Sequence, residues 1–421
     1  MLAVPTDPRW ATTLAALVAA AATLTVLALP AVRRSRRWRA TVTPLASIIG
    51  SGFLVVAPLL ASAVGSWAVL AMAAIVVLAW AVGSAVRYVI AEAERIEEGE
   101  VRGAPAARAI VLLGGTAKVA LAGAYLVAVA FYLHLLGAFV GRTLGPDLQL
   151  LPKLVASVLL VGIAVYGAAR GLSALERIEE GAVALKLAVI AGLLAALAVF
   201  DVGLATGWGG ASAAPARGDA IGWRDLRIVL GGFLVVQGFE TSRFLRAEYD
   251  ANLRIRTMRW AQLLAAAIYL TFVGLATPIL GAAQGTGETA ILDLSARLSF
   301  VLPALLTVGA VASQFSAAVA DTIGAGGLGH DVSAGRIPAR LAYAIVGAVG
   351  LLLVWTLNVF EVIAWASRGF ALAYAAYAAL AAVRAATRRT PRREPWRAAG
   401  FALLSVAMIA VALLGIPAEA A

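Results

Sequence analysis

The chain has 421 residues, of which 62% are hydrophobic and only 14% charged, and its mean hydropathy is +0.92. A soluble domain carries roughly 25% charged residues, so most of the apolar excess must face lipid, which excludes a soluble enzyme, a disordered chain and a nucleic-acid-binding module. Cysteine is absent, and His134 and His330 lie too far apart for a local metal motif, so no disulfide, thiolate site, metal or cofactor is expected.

Apolar stretches long enough to cross ~30 Å of hydrocarbon fall at 11–30, 43–63, 66–89, 110–140, 153–169, 179–200, 226–245, 260–281, 300–326, 340–357, 361–383 and 398–416. Twelve transmembrane helices are expected, an all-α polytopic membrane protein. The leader MLAVPTDPRW lacks a basic n-region, and RRSRRWR follows the apolar stretch, so the first span is read as a retained helix rather than a signal peptide. Most of the 34 Lys and Arg residues fall between spans 1–2, 3–4, 5–6, 7–8, 9–10 and 11–12. The positive-inside rule then places both termini outside a plasma (inner) membrane. The formal charge of +11 is largely this bias, facing anionic lipid.

Two spans carry interruptions that a lipid-facing helix disfavours. The second reads TVTPLASIIGSGFLVVAPLLASA, with Gly50-Ser51-Gly52 at its middle and Pro58 beyond. Each glycine weakens a helix by about 1 kcal/mol relative to alanine, and opened backbone at mid-bilayer persists only in protein or against a cavity. The seventh contains Gln237-Gly238-Phe239-Glu240, and a carboxylate at that depth requires a partner. The 188-residue offset between Gly50 and Gly238 carries the block 41–200 onto 225–384, each with five spans, so the second block is inverted relative to the first. Paired broken helices in inverted repeats point to a mid-membrane transport site. The chain divides accordingly into an additional helix and basic loop (1–40), repeat 1 (41–200), an outer loop (201–224), repeat 2 (225–384), and a basic loop with a last helix (385–421).

Ser47-Ile48-Ile49-Gly50-Ser51-Gly52-Phe53 followed by Pro58 resembles the first-helix signature of the amino acid–polyamine–organocation superfamily. Gln237-Gly238-Phe239-Glu240 resembles that superfamily's sixth-helix Phe-x-Gly-Phe-Glu stretch, and Lys186 matches a fifth-helix lysine common in its members. The departures are Val236 in place of the phenylalanine, a span preceding the core, and RYVIAEAERIEE at the end of core helix 2, which mark a divergent branch. The resemblance implies the leucine-transporter fold, with core helices 1 and 6 unwound around a substrate. Freed N–H groups and a positive half-helix end at Gly50–Phe53 suit a carboxylate, and freed carbonyls near Val236–Phe239 suit an ammonium. The expected substrate is an amino acid or a related small organic cation or zwitterion. Its candidate contacts are Ile49, Gly50, Ser51, Gly52, Phe53, Val236, Gln237, Gly238, Phe239, Glu240 and Tyr125.

For coupling, Lys186 is the leading candidate. A desolvated lysine can exchange a proton where arginine cannot, and the resemblance places this lysine where relatives hold sodium. The rival is sodium at Ser313, Ser316 and Asp321 on core helix 8, although the two serines are three residues apart rather than adjacent. Proton coupling or exchange is therefore expected ahead of sodium symport. Tyr132 and His134 can face the site or simply pack. Glu361 and Arg368 share a face as an outer gate or a structural pair, and His330 is read as solvated in an inward loop. A homodimer is compatible with this reading, and a non-transporting sensor or scaffold is its alternative. An intramembrane enzyme is disfavoured because no nucleophile–base or metal cluster is visible.

Overall fold

The computed structural model describes residues 7–50, 52–101, 103, 106–144, 150–170, 173–206, 221–280, 290–333, 335–388 and 395–416. Ser51 and most of the outer loop therefore lie outside the described residues. Helix is the regular structure throughout: α1 Arg9–Ala28, α2 Arg36–Ile48, α3 Gly52–Val64, α4 Ala68–Glu92, α5 Ala107–Leu144, α6 Leu151–Arg170 and α7 Ser173–Ala205. Then follow α8 Trp223–Gly231, two tight 3₁₀ stretches at Gly232–Val236 and Phe239–Ala247, α9 Ala251–Leu280, α10 Ala290–Leu298, α11 Leu302–Val332, α12 Ala339–Thr356, α13 Val359–Thr387 and α14 Pro395–Leu414. Nine helices among the described residues are long and apolar enough to cross a membrane, counting Gly52–Glu92 as one. The count of twelve differs because that stretch holds two expected spans, Arg340–Thr356 is shorter, and the seventh span is broken into pieces.

Both expected breaks are present. Core helix 1 ends at Ile48, Ile49 leaves helical geometry (φ −88°, ψ 64°), and the helix restarts at Gly52. Core helix 6 opens at Gln237–Gly238, where Gly238 takes φ +111°. An L side chain rarely adopts that conformation. The two breaks also touch each other. A Cβ at Gly238 would lie 2.5 Å from the Ser47 Cβ, and one at Gly52 would lie 2.8 Å from Val235 Cγ1. Each glycine thus permits the close approach of the opposite break.

The longest helix, α5, packs against α11 and α13 at the centre, while α1 lies along α7. A Cβ at Gly192 of α7 would meet the Ala16 carbonyl at 2.9 Å, so these helices approach at backbone distance. The Thr13 hydroxyl pairs with that of Ser299 at 2.8 Å and accepts from the Phe300 N–H, while the Thr12 hydroxyl bonds the Leu298 carbonyl. The additional first helix therefore pins the end of α10.

At the opposite, Arg-rich end, the acidic tail after α4 meets basic residues of the broken helix and α9. Arg254, 2% exposed, forms a bidentate pair with Glu94 at 3.0 and 2.6 Å. Arg243 pairs with Glu97 at 2.8 Å, and Arg246 reaches Glu98 and Glu100. Hydrogen bonds from Arg95 and Arg246 hold the exposed Glu100 carboxyl below the usual carboxylate range.

Removing one member of a buried pair strands the other charge, at a cost of about 3–5 kcal/mol. Arg254→Met should therefore sharply lower the thermal unfolding midpoint in detergent, and the double variant Glu94→Leu/Arg254→Met should recover most of the loss. A double variant no more stable than the single one would show that Arg254 matters through its packing instead.

Candidate functional site

The site is built on the two breaks, because there the backbone loses its helical partners. The last turn of a helix leaves carbonyls without N–H partners. At the end of α2, the Leu45 carbonyl takes the Ile49 N–H at 2.9 Å, the Ala46 carbonyl takes the Lys186 ammonium at 2.8 Å, and the Ile48 carbonyl takes the Tyr269 hydroxyl at 3.0 Å. Tyr269 also lies 2.7 Å from the Val235 carbonyl in the other broken helix. One hydroxyl, packed edge-on against Phe53, thus lies within hydrogen-bond reach of carbonyls of both breaks and shares its single proton between them.

Glu240 closes the second break from behind. It is fully buried and accepts from the Gly238 N–H at 3.0 Å, the Tyr374 hydroxyl at 2.6 Å and the Tyr125 hydroxyl at 3.2 Å. The Thr241 hydroxyl donates to the Gly238 carbonyl at 2.7 Å, and Phe239 stacks on Tyr374 with ring centroids 5.1 Å apart. The carboxylate and both aromatic rings hold the unwound loop in shape.

Two cavities flank the crossing. A cavity of about 50 Å³ on one side is lined by Gly50, Gly52, Tyr132 and Gln237 together with Val55, Leu59, Phe131 and Phe370. Among the described residues, no charged side chain lines it. A larger cavity of about 400 Å³ opens on the Arg-rich side between Arg39, Tyr125, Thr241, Phe244 and Glu248. Ser47 lines both.

Of the expected contacts, Gly50, Gly52 and Gln237 meet in the smaller cavity, and Tyr125 lines the larger one. Ile49, Phe53, Val236, Gly238, Phe239 and Glu240 are outside both linings and shape the breaks from behind. Ser51 lies outside the described residues. The Gln237 amide donates to the Tyr132 hydroxyl at 3.3 Å, which gives Tyr132 a place in the wall. Sequence reasoning passed over Ser47 and Tyr269; a lone tyrosine in the apolar run AAAIYLTFV was the available signal for the second.

Lys186, Ser313, Ser316 and Asp321 are all buried. α7 and α11 touch where a Cβ at Gly309 would lie 3.0 Å from Val189. The Ser313 hydroxyl and the Gln314 amide have no hydrogen-bond partner among the described residues. Glu361 and Arg368 do not pair. Glu361 forms a capping box with Asn358, with both bonds at 2.9 Å, and the Arg368 guanidinium lies over Trp365. His330 ends α11 rather than lying in a loop, exposed, with Nδ1 3.2 Å from the Ile337 carbonyl.

Helices interrupted at mid-membrane and crossing around a cavity define a transporter of the leucine-transporter fold. Known proteins agree. A family model described as APC superfamily transporter matches residues 30–415, and the chain belongs to that superfamily. A protein of Aquifex aeolicus (strain VF5), described only as uncharacterized, is 40% identical over 348 residues, covering 82% of this chain and 83% of its own. Among solved structures, a Na+-coupled sialic acid symporter superposes with a TM-score of 0.53 at 13% identity over 97% of both chains. A manganese transporter of Eremococcus coleocola gives 0.53 at 13% identity over 90% of this chain and 87% of its own. At such identities the likeness shows the fold alone.

Tyr269→Phe leaves two freed carbonyls without their hydroxyl and should cost roughly 1–3 kcal/mol, read as a lower unfolding midpoint. Gly52→Leu should abolish substrate binding in a protein that still elutes as a folded species, since any side chain there enters Val235. Full transport by folded Gly52→Leu would return the glycine to plain helix packing.

Proposed function

We propose that the chain is a secondary active transporter of a small zwitterionic amino acid, working by alternating access and coupled to protons through Lys186. The observation that carries this reading is the Lys186 ammonium on the Ala46 carbonyl at 2.8 Å, at the broken end of core helix 1. A cation there meets the negative end of a half-helix and one of its freed carbonyls. Loss of its proton weakens the tie between α7 and the broken helix, and a change of protonation thereby alters how the break is held. Lysine can make that exchange in an apolar setting, whereas arginine stays charged.

The lining of the smaller cavity supports a zwitterion. A substrate with net charge, enclosed by Val55, Leu59, Phe131 and Phe370 with no countercharge, would be buried unpaired. A zwitterion can set its carboxylate at the N-terminus of α3 and its ammonium at the α2 end by Ser47, supplying both charges through half-helix dipoles.

Sodium is the second reading. It is favoured by the buried Ser313 hydroxyl and Gln314 amide, which have no hydrogen-bond partner among the described residues, with Ser316 and Asp321 further along α11.

Proteoliposomes with imposed pH or sodium gradients and a labelled amino-acid panel provide the test. Uptake should follow the pH gradient, fail in both Lys186→Ala and Lys186→Arg, and be competed by small neutral amino acids but not by lysine or putrescine. Retained pH-driven uptake in Lys186→Ala would remove the lysine from coupling, and strict sodium dependence would transfer the role to the α11 residues.

A further inference from the structure

Away from the crossing, a groove of about 870 Å³ lies on the flank of the bundle, between the Arg-rich ends of α4, α9 and α14. Four guanidiniums line it, those of Arg87, Arg259, Arg388 and Arg397, together with the carboxylate of Glu92. That carboxylate is already shared by Arg388 at 3.1 Å and Arg384 at 3.9 Å. Arg87 forms the base. It is 6% exposed, bonded to Gln262 of α9, and stacked over Trp80 with 4.5 Å to the ring centroid. Arg259 lines the same groove, so two like charges face one space. Holding like charges together in a partly apolar groove is costly unless an anion joins them.

The rest of the groove states what kind of anion. From Arg397, α14 runs deeper past Leu403, Leu404 and Ala407, all in the lining. Ten residues of helix cover roughly 15 Å, about one leaflet of a bilayer. Trp396, at the start of α14, is exposed, and Arg397 lies over its ring at 5.1 Å. An aromatic ring in that position marks the headgroup level. Positive charge at the headgroup level with an apolar wall below it fits a phosphate carried on an acyl chain. A soluble anion would use only the upper part.

We infer that this groove is a binding site for one anionic phospholipid, its phosphate among Arg87, Arg259, Arg388 and Arg397 and an acyl chain along α14. The lipid bridges α4 and α9, already joined through Gln262, to the last helix.

The full chain is reconstituted in phosphatidylcholine bilayers containing a small fraction of either phosphatidylglycerol or phosphatidylcholine with dibrominated acyl chains, and tryptophan fluorescence is read. Brominated phosphatidylglycerol should quench more strongly at equal mole fraction, and the excess should vanish in Trp80→Phe/Trp396→Phe. Arg259→Gln and Arg397→Gln change exposed or rim residues and should each lower the anionic preference roughly fivefold, with unfolding midpoints near that of the unmodified protein. Equal quenching by the two lipids, or a preference that survives the double arginine variant, overturns the site. Loss of the excess quenching on adding millimolar glycerol phosphate would identify a soluble-anion site and overturn lipid docking.

Discussion

Everything about the crossing follows from one constraint: backbone N–H and C=O groups opened inside a membrane must find partners within the protein. Opening two helices at the same depth frees several such groups within a few ångströms. The chain answers with a small set of side chains. Lys186 and Tyr269 take carbonyls at the end of α2, while Glu240 and Tyr374 take the Gly238 N–H. Because Tyr269 reaches both Ile48 and Val235, the two breaks are held by a common atom and are not independent defects. The glycines then have a steric meaning beyond flexibility, since Gly52 and Gly238 each admit the opposite break at distances no side chain permits.

The two cavities meet this crossing unequally. The larger opens toward exposed Arg39, Phe244 and Glu248, while the smaller is enclosed by apolar side chains on the other side of Ser47. The broken helix is also tied differently from end to end. Near the Arg-rich face, Arg243 and Arg254 join it to the tail of α4 and to α9 through buried ion pairs. Lys118 of α5 reaches Glu97 at 3.7 Å and Asp331 of α11 at 3.8 Å, longer contacts with a partly exposed ammonium. Parting the buried pairs costs far more than parting the partly exposed ones. The tail of α4, the 239–247 segment and the start of α9 are therefore tied to one another more firmly than that tail is to α5.

What was legible in the sequence is what local chemistry specifies. Gly-x-Gly in an apolar run and a polar tetrad in another place both breaks to the residue, and the apolar stretches coincide with helices, because both signals arise within one span. What was not legible depends on partners far along the chain. Glu240 was marked by the cost of a membrane carboxylate, but that cost says only that a partner exists. Tyr125 and Tyr374, more than a hundred residues away on either side, turn it behind the wall instead of into the cavity. The Glu94–Arg254 pair joins residues 160 apart, of which the sequence showed one as part of the divergent charged end of core helix 2 and the other as a topology signal. The first helix gave no hint of Ser299, since Thr12 and Thr13 read as ordinary members of an apolar run.

The placement of charge relative to the cavity carries the functional argument further than the motif does. Membrane carboxylates and ammoniums are costly, and this chain keeps several near the crossing, yet those that hold the breaks stand outside the smaller cavity. Glu240 is sequestered by two tyrosines and a backbone N–H, and Lys186 is bonded to the Ala46 carbonyl of the broken turn. What remains for a ligand is backbone polarity at Ser47, Gly50 and Gly52, the Gln237 amide and the Tyr132 hydroxyl, set in an apolar wall. Such a surface, on the proposed reading, recognises separated charges of opposite sign through two half-helix ends, and discriminates against net charge because no charged side chain among the described residues lines it. On the proposed reading, the ion that drives transport and the molecule that is carried use different faces of the same broken turn. Protonation at Lys186 can then be felt at Ser47, one residue along the chain, without the coupling group ever touching the substrate.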